Sequence, residues 1–410
     1  MSFIEKITFS GGNNVKKDYE YSSDGKIHDK ERLKELQALP LWRKIQVTQA
    51  RIIEWYNYFD GQVYISFSGG KDSTVLLHIA RKIFPDIPVA FSNAGLEYPE
   101  IQSFAKLQGA QFVYPKMKFT DIIKTYGYPI ISKEVSEAIY YARRINSRGR
   151  VHGSNSNFWK TPIRKQKELL GKRIDTHYSK QLSSEDASGG SSDGKSKSHY
   201  NKEKWLPIAR DMPFLVSHYC CNVMKKSPLG IYQREHKQNP ILVTMAEESR
   251  MRKQAWIRHG CNAFDSKKKT SQPMSFWTEQ DVLEYIQHYQ IDICSVYGDI
   301  EQIENSKLYC TGCQRTGCIF CAYGLHLEKG ETRFQRLKKT HPKQYNYCIG
   351  GGEWNDNPFY DPNASTEPDE IGWANWNPKK IWTPSKDGLG MGKVFDMLNE
   401  VYGDGFVRYK

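Results

Sequence analysis

The chain has 410 residues, with 59 Lys and Arg against 46 Asp and Glu, a net charge of +13. This length suits two or three domains with a sizeable buried core, and no run of about 18 apolar residues is present to span a membrane. The basic balance points to an acidic partner, nucleic acid first, although charge speaks to association rather than fold.

Residues 1–40 are polar, weakly periodic and closed by Pro40. Met1 to Lys6 lacks a signal-peptide core, so a cytoplasmic protein is expected. In that compartment the nine cysteines serve as thiols, metal ligands or catalysts rather than disulfides. Leu41, Ile45, Ile52, Tyr56 and Phe59 space as an amphipathic helix over 41–60, with Thr48 the one polar member of the row.

Val63 to Phe67 reads as a buried parallel strand. A Ser68-Gly69-Gly70 turn follows, and Val75, Leu76, Ile79 and Ile83 predict a helix from Ser73 to Phe84. Strand, glycine turn and helix N-terminus together make an anion site, because the backbone approaches closely and its free N–H groups face the charge. Lys71 adds a cation, and Ser68 and Ser73 add hydroxyls. The spacing is not that of the common G-x-x-x-x-G-K-[ST] phosphate loop. The anion expected is the phosphate chain of a nucleotide.

Ile87 to Phe91 predicts a second strand and Ala110 to Tyr114 a third, with helices over 99–108 and from Phe119 to Tyr126; Pro99 stands as a first-turn proline. Alternating strands and helices imply a parallel sheet with helices on both faces. Ligands then bind at the carboxyl ends of strands, where the 68–73 and 92–100 loops both fall. There Glu97 and Glu100 either orient a ribose or magnesium ion or simply start a helix.

Arg143, Arg144, Arg148, Arg150, Lys160, Arg164, Lys165, Lys167, Lys172, Arg173 and Lys180 make 140–180 strongly basic, opposed only by Glu168 and Asp175. With Tyr140, Tyr141, Phe158 and Trp159 interleaved, the stretch suits a nucleic-acid groove or a solvated face. The Ser- and Gly-rich run 183–201 reads as a mobile loop within the domain. A further strand, Ile241 to Met245, leads to Arg250 and Arg252, suited to bidentate contacts with phosphate or sulfate. Thr278 and Asp281 carry capping-box spacing for a structural helix.

Cys310, Cys313, Cys318 and Cys321 lie within a dozen positions. Their two C-x-x-C pairs stand too close for a usual zinc ribbon, and crowded thiolates suit an iron–sulfur cluster better than zinc or free thiols. Cys220 and Cys221 offer further thiolates. Cys261, Cys294 and Cys348 read as buried or free thiols, although Cys348, before Gly350-Gly351-Gly352, also suits a mobile sulfur carrier. Trp354, Trp373, Trp376 and Trp382 lie in what reads as an irregular wrap.

Together these pieces resemble the phosphoadenylyl-sulfate (PAPS) reductase-like family of the ATP-pyrophosphatase (PP-loop) superfamily, over about 45–345. The resemblance rests on Ser68-Gly69-Gly70-Lys71-Asp72-Ser73, on Asn93-Ala94-Gly95-Leu96-Glu97-Tyr98-Pro99-Glu100, where the family's Asp and Thr are replaced, on Cys220-Cys221 with Lys225-Lys226, and on Gly317-Cys318-Ile319-Phe320-Cys321. It implies an α/β fold of the adenine nucleotide alpha-hydrolase-like (HUP) type with a cysteine-rich C-terminal region. The divisions expected are an extension over 1–44, the PP-loop domain over 45–300 with a basic insertion at 140–200, and a cluster segment and aromatic wrap over 301–410. By analogy, Ser66, Ser68, Gly69, Gly70, Lys71, Asp72, Ser73, Asn93, Gly95 and Glu97 hold ATP, with Lys71, Asp72 and Arg250 in the chemistry. Cys220, Cys221, Cys318 and Cys321 then hold a [4Fe–4S] cluster, with Cys313 or Cys310 as substitute.

Two departures shape the function implied. The reductases' Glu-Cys-Gly-x-His nucleophile motif is absent, and the phosphate loop, often degraded in reductases, is intact. The chain therefore looks like ATP-using sulfur-inserting relatives. These adenylylate an oxygen of DNA or tRNA with Mg²⁺-ATP, release pyrophosphate, and displace AMP with sulfur from the cluster or from a cysteine desulfurase partner. A homo-oligomer is among the states this allows. The alternatives are reduction of adenylyl sulfate or PAPS, with Arg250 and Arg252 on the sulfate, and a non-catalytic nucleotide-binding subunit.

Overall fold

The structure, a computed structural model, describes residues 28–148, 203–303, 307–363 and 376–410. Most of the basic stretch after Arg148, the Ser- and Gly-rich run and Trp373 lie outside them. The chain divides into two units, each assembled from separate pieces of sequence.

The first unit holds residues 1–93, 98–113 and 229–316. Its centre is β1 (Val63–Phe67), in which Val63, Tyr64, Ile65 and Phe67 are buried, as a strand covered on both faces requires. β1 pairs in parallel with β2 (Val89–Ser92), and β2 with β3 (Gln111–Val113). On its other edge β1 pairs in parallel with β5 (Asn239–Ile241), and β5 with β7 (Thr270–Ser271); β6 (Asn262–Ala263) closes the edge antiparallel to β7. The order β3-β2-β1-β5-β7-β6 reverses direction between β1 and β5. That is the switch point at which such sheets bind ligands beyond their carboxyl ends.

Helices flank this mixed α/β sheet. α1 (Lys30–Gln37) forms in a stretch whose periodicity was too weak to announce it, through an Asp29 cap on Arg32 N–H at 2.7 Å. α2 (Leu41–Tyr58) stops short of residue 60, because Asp60 and Gly61 turn the backbone to positive φ. Its polar Thr48 is buried for a reason: it accepts the Trp277 indole N–H at 2.9 Å. Lys44, also buried, reaches both Asp281 carboxylate oxygens at 2.7 and 2.6 Å. Asp281 in turn caps the helix Glu279–Tyr289 in a reciprocal box with Thr278. Removing one member of this buried pair would cost about 3–5 kcal/mol.

The second unit holds the described residues of 94–97, 114–228 and 317–410. β4 (Ile130–Ile131) pairs in parallel with the strand Ala322–Tyr323, which joins the two halves of its sequence. The helix Lys133–Arg148 carries Arg143, whose guanidinium donates to the carbonyls of Ala209, Ile208, Met212 and Phe214 and lies 4.3 Å from the Trp376 ring. Arg143 is therefore spent inside the fold and is not a phosphate contact of a basic groove. Neither is the aromatic tail an irregular wrap. It forms a hairpin of Glu353–Asp356 with Lys380–Thr383 and ends in the helix Met391–Tyr402, whose Phe395 packs on Phe334 at 5.2 Å.

Candidate nucleotide loop and thiol site

Gly69 sits at φ +72°, and a Cβ there would meet Ile101 Cγ2 at 2.7 Å, so both the backbone and the space demand glycine. Gly70 caps α3 (Lys71–Arg81), which starts two residues earlier than the apolar pattern suggested. The loop ties itself together with hydroxyls. Ser68 Oγ lies 3.0 Å from Ser73 Oγ and accepts the Gly70 N–H at 3.3 Å, while Ser73 Oγ donates to Gly70 O at 2.9 Å. Ser66, in β1, is half-buried and precedes this network.

Lys71 is 4% exposed. Its Nζ lies 3.0 Å from Glu279 Oε1 and 3.5 Å from Asp72 Oδ1, donates to Gln314 O at 3.3 Å and stands 5.5 Å from the Tyr297 ring centre. Burial works against the ammonium, but Asp72, Glu279 and the Tyr297 oxygen outweigh it and raise its pKa, so Lys71 keeps its charge at neutral pH. Asp72 Oδ1 is buried and accepts no hydrogen bond. That carboxylate oxygen, whose charged neighbour is the Lys71 ammonium at 3.5 Å, is a hard ligand of the kind a divalent cation such as Mg²⁺ takes.

The loop after β5 brings carboxylates and guanidinium groups. Glu247 Oε1 accepts the Glu279 N–H at 2.5 Å, and burial together with Glu279 and Asp281 pushes its pKa up. Arg252 pairs with Glu248, and burial and Arg315 lower the Arg252 pKa. Arg250, by contrast, is exposed at the first position of the helix Arg250–His259. Asn93 follows β2, where its N–H donates to Val113 O at 2.9 Å and its side chain to Gln102 at 3.4 Å.

The second unit contains the thiols. Cys220 and Cys221 precede a π-turn, Asn222–Lys226, and their sulfurs lie 3.9 Å apart. Cys318 and Cys321 close a C-x-x-C turn, with Cys321 N–H on Cys318 O at 3.0 Å and Ile319 N–H on Leu96 O at 2.7 Å. These four thiols interact electrostatically with one another. Cys220 is driven up by its bond to Cys221, by burial and by Cys221, Cys321 and Cys318; Cys318 is pushed up to about 12 by burial. Cys221 is the one drawn down, to about 6, by the Cys220 hydrogen bond and by Lys133, Lys225 and Lys226.

A cation and a carboxylate are built into this group. Lys225 Nζ lies 3.1 Å from Glu97 Oε1. Burial opposes its charge, and Cys318 and Glu97 more than restore it. Glu97 Oε2 also accepts the N–H groups of Ala94 at 3.0 Å and Leu96 at 3.2 Å. Gly95, at φ +68°, completes that turn. Two of the residues assigned to ATP, Gly95 and Glu97, are therefore in the thiol unit, and the rest of that set is in the sheet unit.

Among the described residues, no three His, Cys, Asp or Glu side chains gather as a metal site. A [4Fe–4S] cluster is ordinarily held by four cysteine thiolates. Four soft ligands in two pairs beside a cation fit that group by chemistry. Cys310 and Cys313 lie in the sheet unit, with Cys313 Sγ 3.8 Å from Tyr98 OH. Cys348 is fully buried in a helix, 3.3 Å from Met391 Sδ, and its burial raises the thiol pKa well above normal. A mobile carrier role for Cys348 is thereby removed.

A family model described as "Phosphoadenosine phosphosulfate reductase domain" matches residues 62–124 and 170–323, more than half of the chain. The chain belongs to this family. No curated protein matches it. Membership makes this phosphoadenosine phosphosulfate reductase-domain protein one of a family of nucleotide-using, sulfur-related enzymes of the PP-loop type. No described helix is long and apolar enough to cross a membrane.

Four groups around Lys71 were not legible in the sequence of this family member: Tyr297, Glu279, Gln314 and Thr316. Each comes from far along the chain, and the cysteine spacing that brackets Gln314 and Thr316 gave neither of them a role. The only local hint was Thr278-Asp281 capping, which fixes where Glu279 begins its helix.

Proposed function

We propose that this protein uses ATP to adenylylate an oxygen of a nucleic acid and then replaces that oxygen with sulfur. The observation that carries the reading is the intact Ser68–Ser73 loop with its buried, charged Lys71. A reductase has no pyrophosphate to release and no need of such a loop. In the first step the substrate oxygen attacks the α-phosphorus, the bond to the bridging oxygen breaks, and pyrophosphate leaves with the electron pair. Lys71 and the first-turn N–H groups of α3 oppose the charge that grows on the leaving group. Asp72 would hold Mg²⁺, which would supply positive charge to offset that of the phosphates. In the second step a sulfur nucleophile attacks the activated centre and AMP departs with the oxygen.

Cys220, Cys221, Cys318 and Cys321 would hold a [4Fe–4S] cluster, which would supply one-electron redox chemistry beside the sulfur-transfer step. Lys225 keeps a cation beside those thiolates, and Glu97 positions Lys225. The sulfur itself can also come from a cysteine desulfurase. The net charge of +13 and the exposed run Lys267-Lys268-Lys269 support a nucleic-acid substrate, DNA or tRNA. The test is pyrophosphate release from ATP with and without DNA and tRNA. Stimulation by one of them is expected, and turnover indifferent to all would overturn the reading.

A second reading, reduction of adenylyl sulfate or PAPS, draws on the family description itself. Sulfite formed from either nucleotide would decide for it.

A further inference from the structure

We infer that the phenol of Tyr297 occupies the position of a phosphate oxygen on the nucleotide loop, so that a nucleotide must displace it to bind. This inference rests on the reading of Ser68–Ser73 as a phosphate loop and adds to it a residue that sets the affinity.

The Lys71 backbone N–H opens the first turn of α3, the place where an anion is expected to be held. It is already taken: it donates to Tyr297 Oη at 3.1 Å. A Cβ on Gly70 would meet the same phenol oxygen at 3.1 Å and Thr316 Oγ1 at 3.4 Å, so both hydroxyls lie against the glycine face of the loop. Tyr297 Oη and Thr316 Oγ1 are 2.7 Å apart, which gives the phenol a partner of its own. The ring is held behind by the backbone. Tyr297 ends a short 3₁₀ turn and its carbonyl accepts the Gly312 N–H at 2.8 Å. The Lys71 ammonium is likewise occupied, by Glu279 and Gln314. Tyr297 is 2% exposed, so its ring is enclosed by its neighbours.

A ligand that needs a site filled part of the time binds more weakly by the fraction of molecules in which the site is free. Removing the plugging hydroxyl should therefore strengthen binding, whereas removing a ligand contact would weaken it. The sign of the change separates the two roles.

The experiment is calorimetric titration of the full chain with ATP and, separately, with inorganic pyrophosphate, in the wild type, Tyr297→Phe and Thr316→Val. Tyr297→Phe keeps the ring and so the packing. The expectation is roughly 3- to 10-fold tighter binding of both ligands, the size of one net hydrogen bond. Thr316→Val leaves the phenol on Lys71 and should tighten binding less. Amide exchange gives an independent readout: ATP should protect 68–74 and loosen 295–298 in the wild type. Equal or weaker binding by Tyr297→Phe, or protection of 295–298 by ATP, overturns the plug alone. If neither ligand binds any of the three proteins, the phosphate-loop reading itself fails and takes the plug with it.

Discussion

In the nucleotide loop, Ser68, Gly69, Gly70, Lys71, Asp72 and Ser73 are consecutive, and distant residues only brace them. In the thiol group, Cys220-Cys221 and Cys318-Ile319-Phe320-Cys321 come from widely separated segments. The loop satisfies its own polar groups: hydroxyls bridge hydroxyls, and Lys71 is neutralised by Asp72 and Glu279. The thiols are left crowded and polarised, one drawn down and the others pushed up. A self-satisfied loop binds by exchanging internal partners for ligand, whereas crowded thiols gain by giving up protons to metal. The two regions should therefore fail separately when perturbed.

The largest separation is expected from Cys318→Ser with Cys321→Ser. Iron content and visible absorption of anaerobically purified protein should be lost completely, while ATP binding stays within about twofold, since additivity holds for groups that share no partners. Loss of ATP binding in that variant would break the contrast. Lys71→Ala is the reverse case. Pyrophosphate release should fall by about 10²- to 10³-fold, as when a preorganised charge is removed from a developing anion, and iron content should not change. Asp281→Ala strands Lys44 as a buried unpaired cation and should cost about 3–5 kcal/mol in chemical denaturation. Gly69→Ala should cost about 1–3 kcal/mol, through its positive φ and the contact with Ile101, and should weaken ATP binding without touching iron.

The smallest effect concerns acid. His28, packed at a tilt against Trp256 with ring centres 4.8 Å apart, has its pKa lowered to about 4 by burial first and then by Arg51 and Arg32. A histidine held neutral in the fold binds protons more weakly there than in the unfolded chain. Its contribution is full above pH about 6.5 and is lost as pH falls toward 4. After solvent screening this should be about 1 kcal/mol. In melting curves of the wild type and His28→Phe, the wild type should lose about 1 kcal/mol relative to the variant as pH falls from 7 to 4.

Particular residues show how far the sequence could be read. Val63 to Phe67, the glycine turn and the helix beyond it were legible, because strand, turn and helix periodicities are local. Phe119–Tyr126 forms as its spacing predicts. The strand placed at Ile241 to Met245 instead runs Asn239–Ile241, since pairing with Val63 to Ile65 sets its register. The hairpin at Trp354 and Trp382 and the final helix went unread among prolines and glycines. The four thiols were named from a motif, but nothing in their spacing predicted Glu97 and Lys225 as their ion pair.

Sequence alone determined where the backbone turns on glycine and where a strand gives way to a helix, because φ preferences and side-chain periodicity act between near neighbours. Only the tertiary structure decided which remote groups meet Lys71, which thiol is drawn down, and that Arg143 and Cys348 are spent inside the fold. Burial and charge act through space, and chain order carries little trace of which distant side chains will share one enclosed volume.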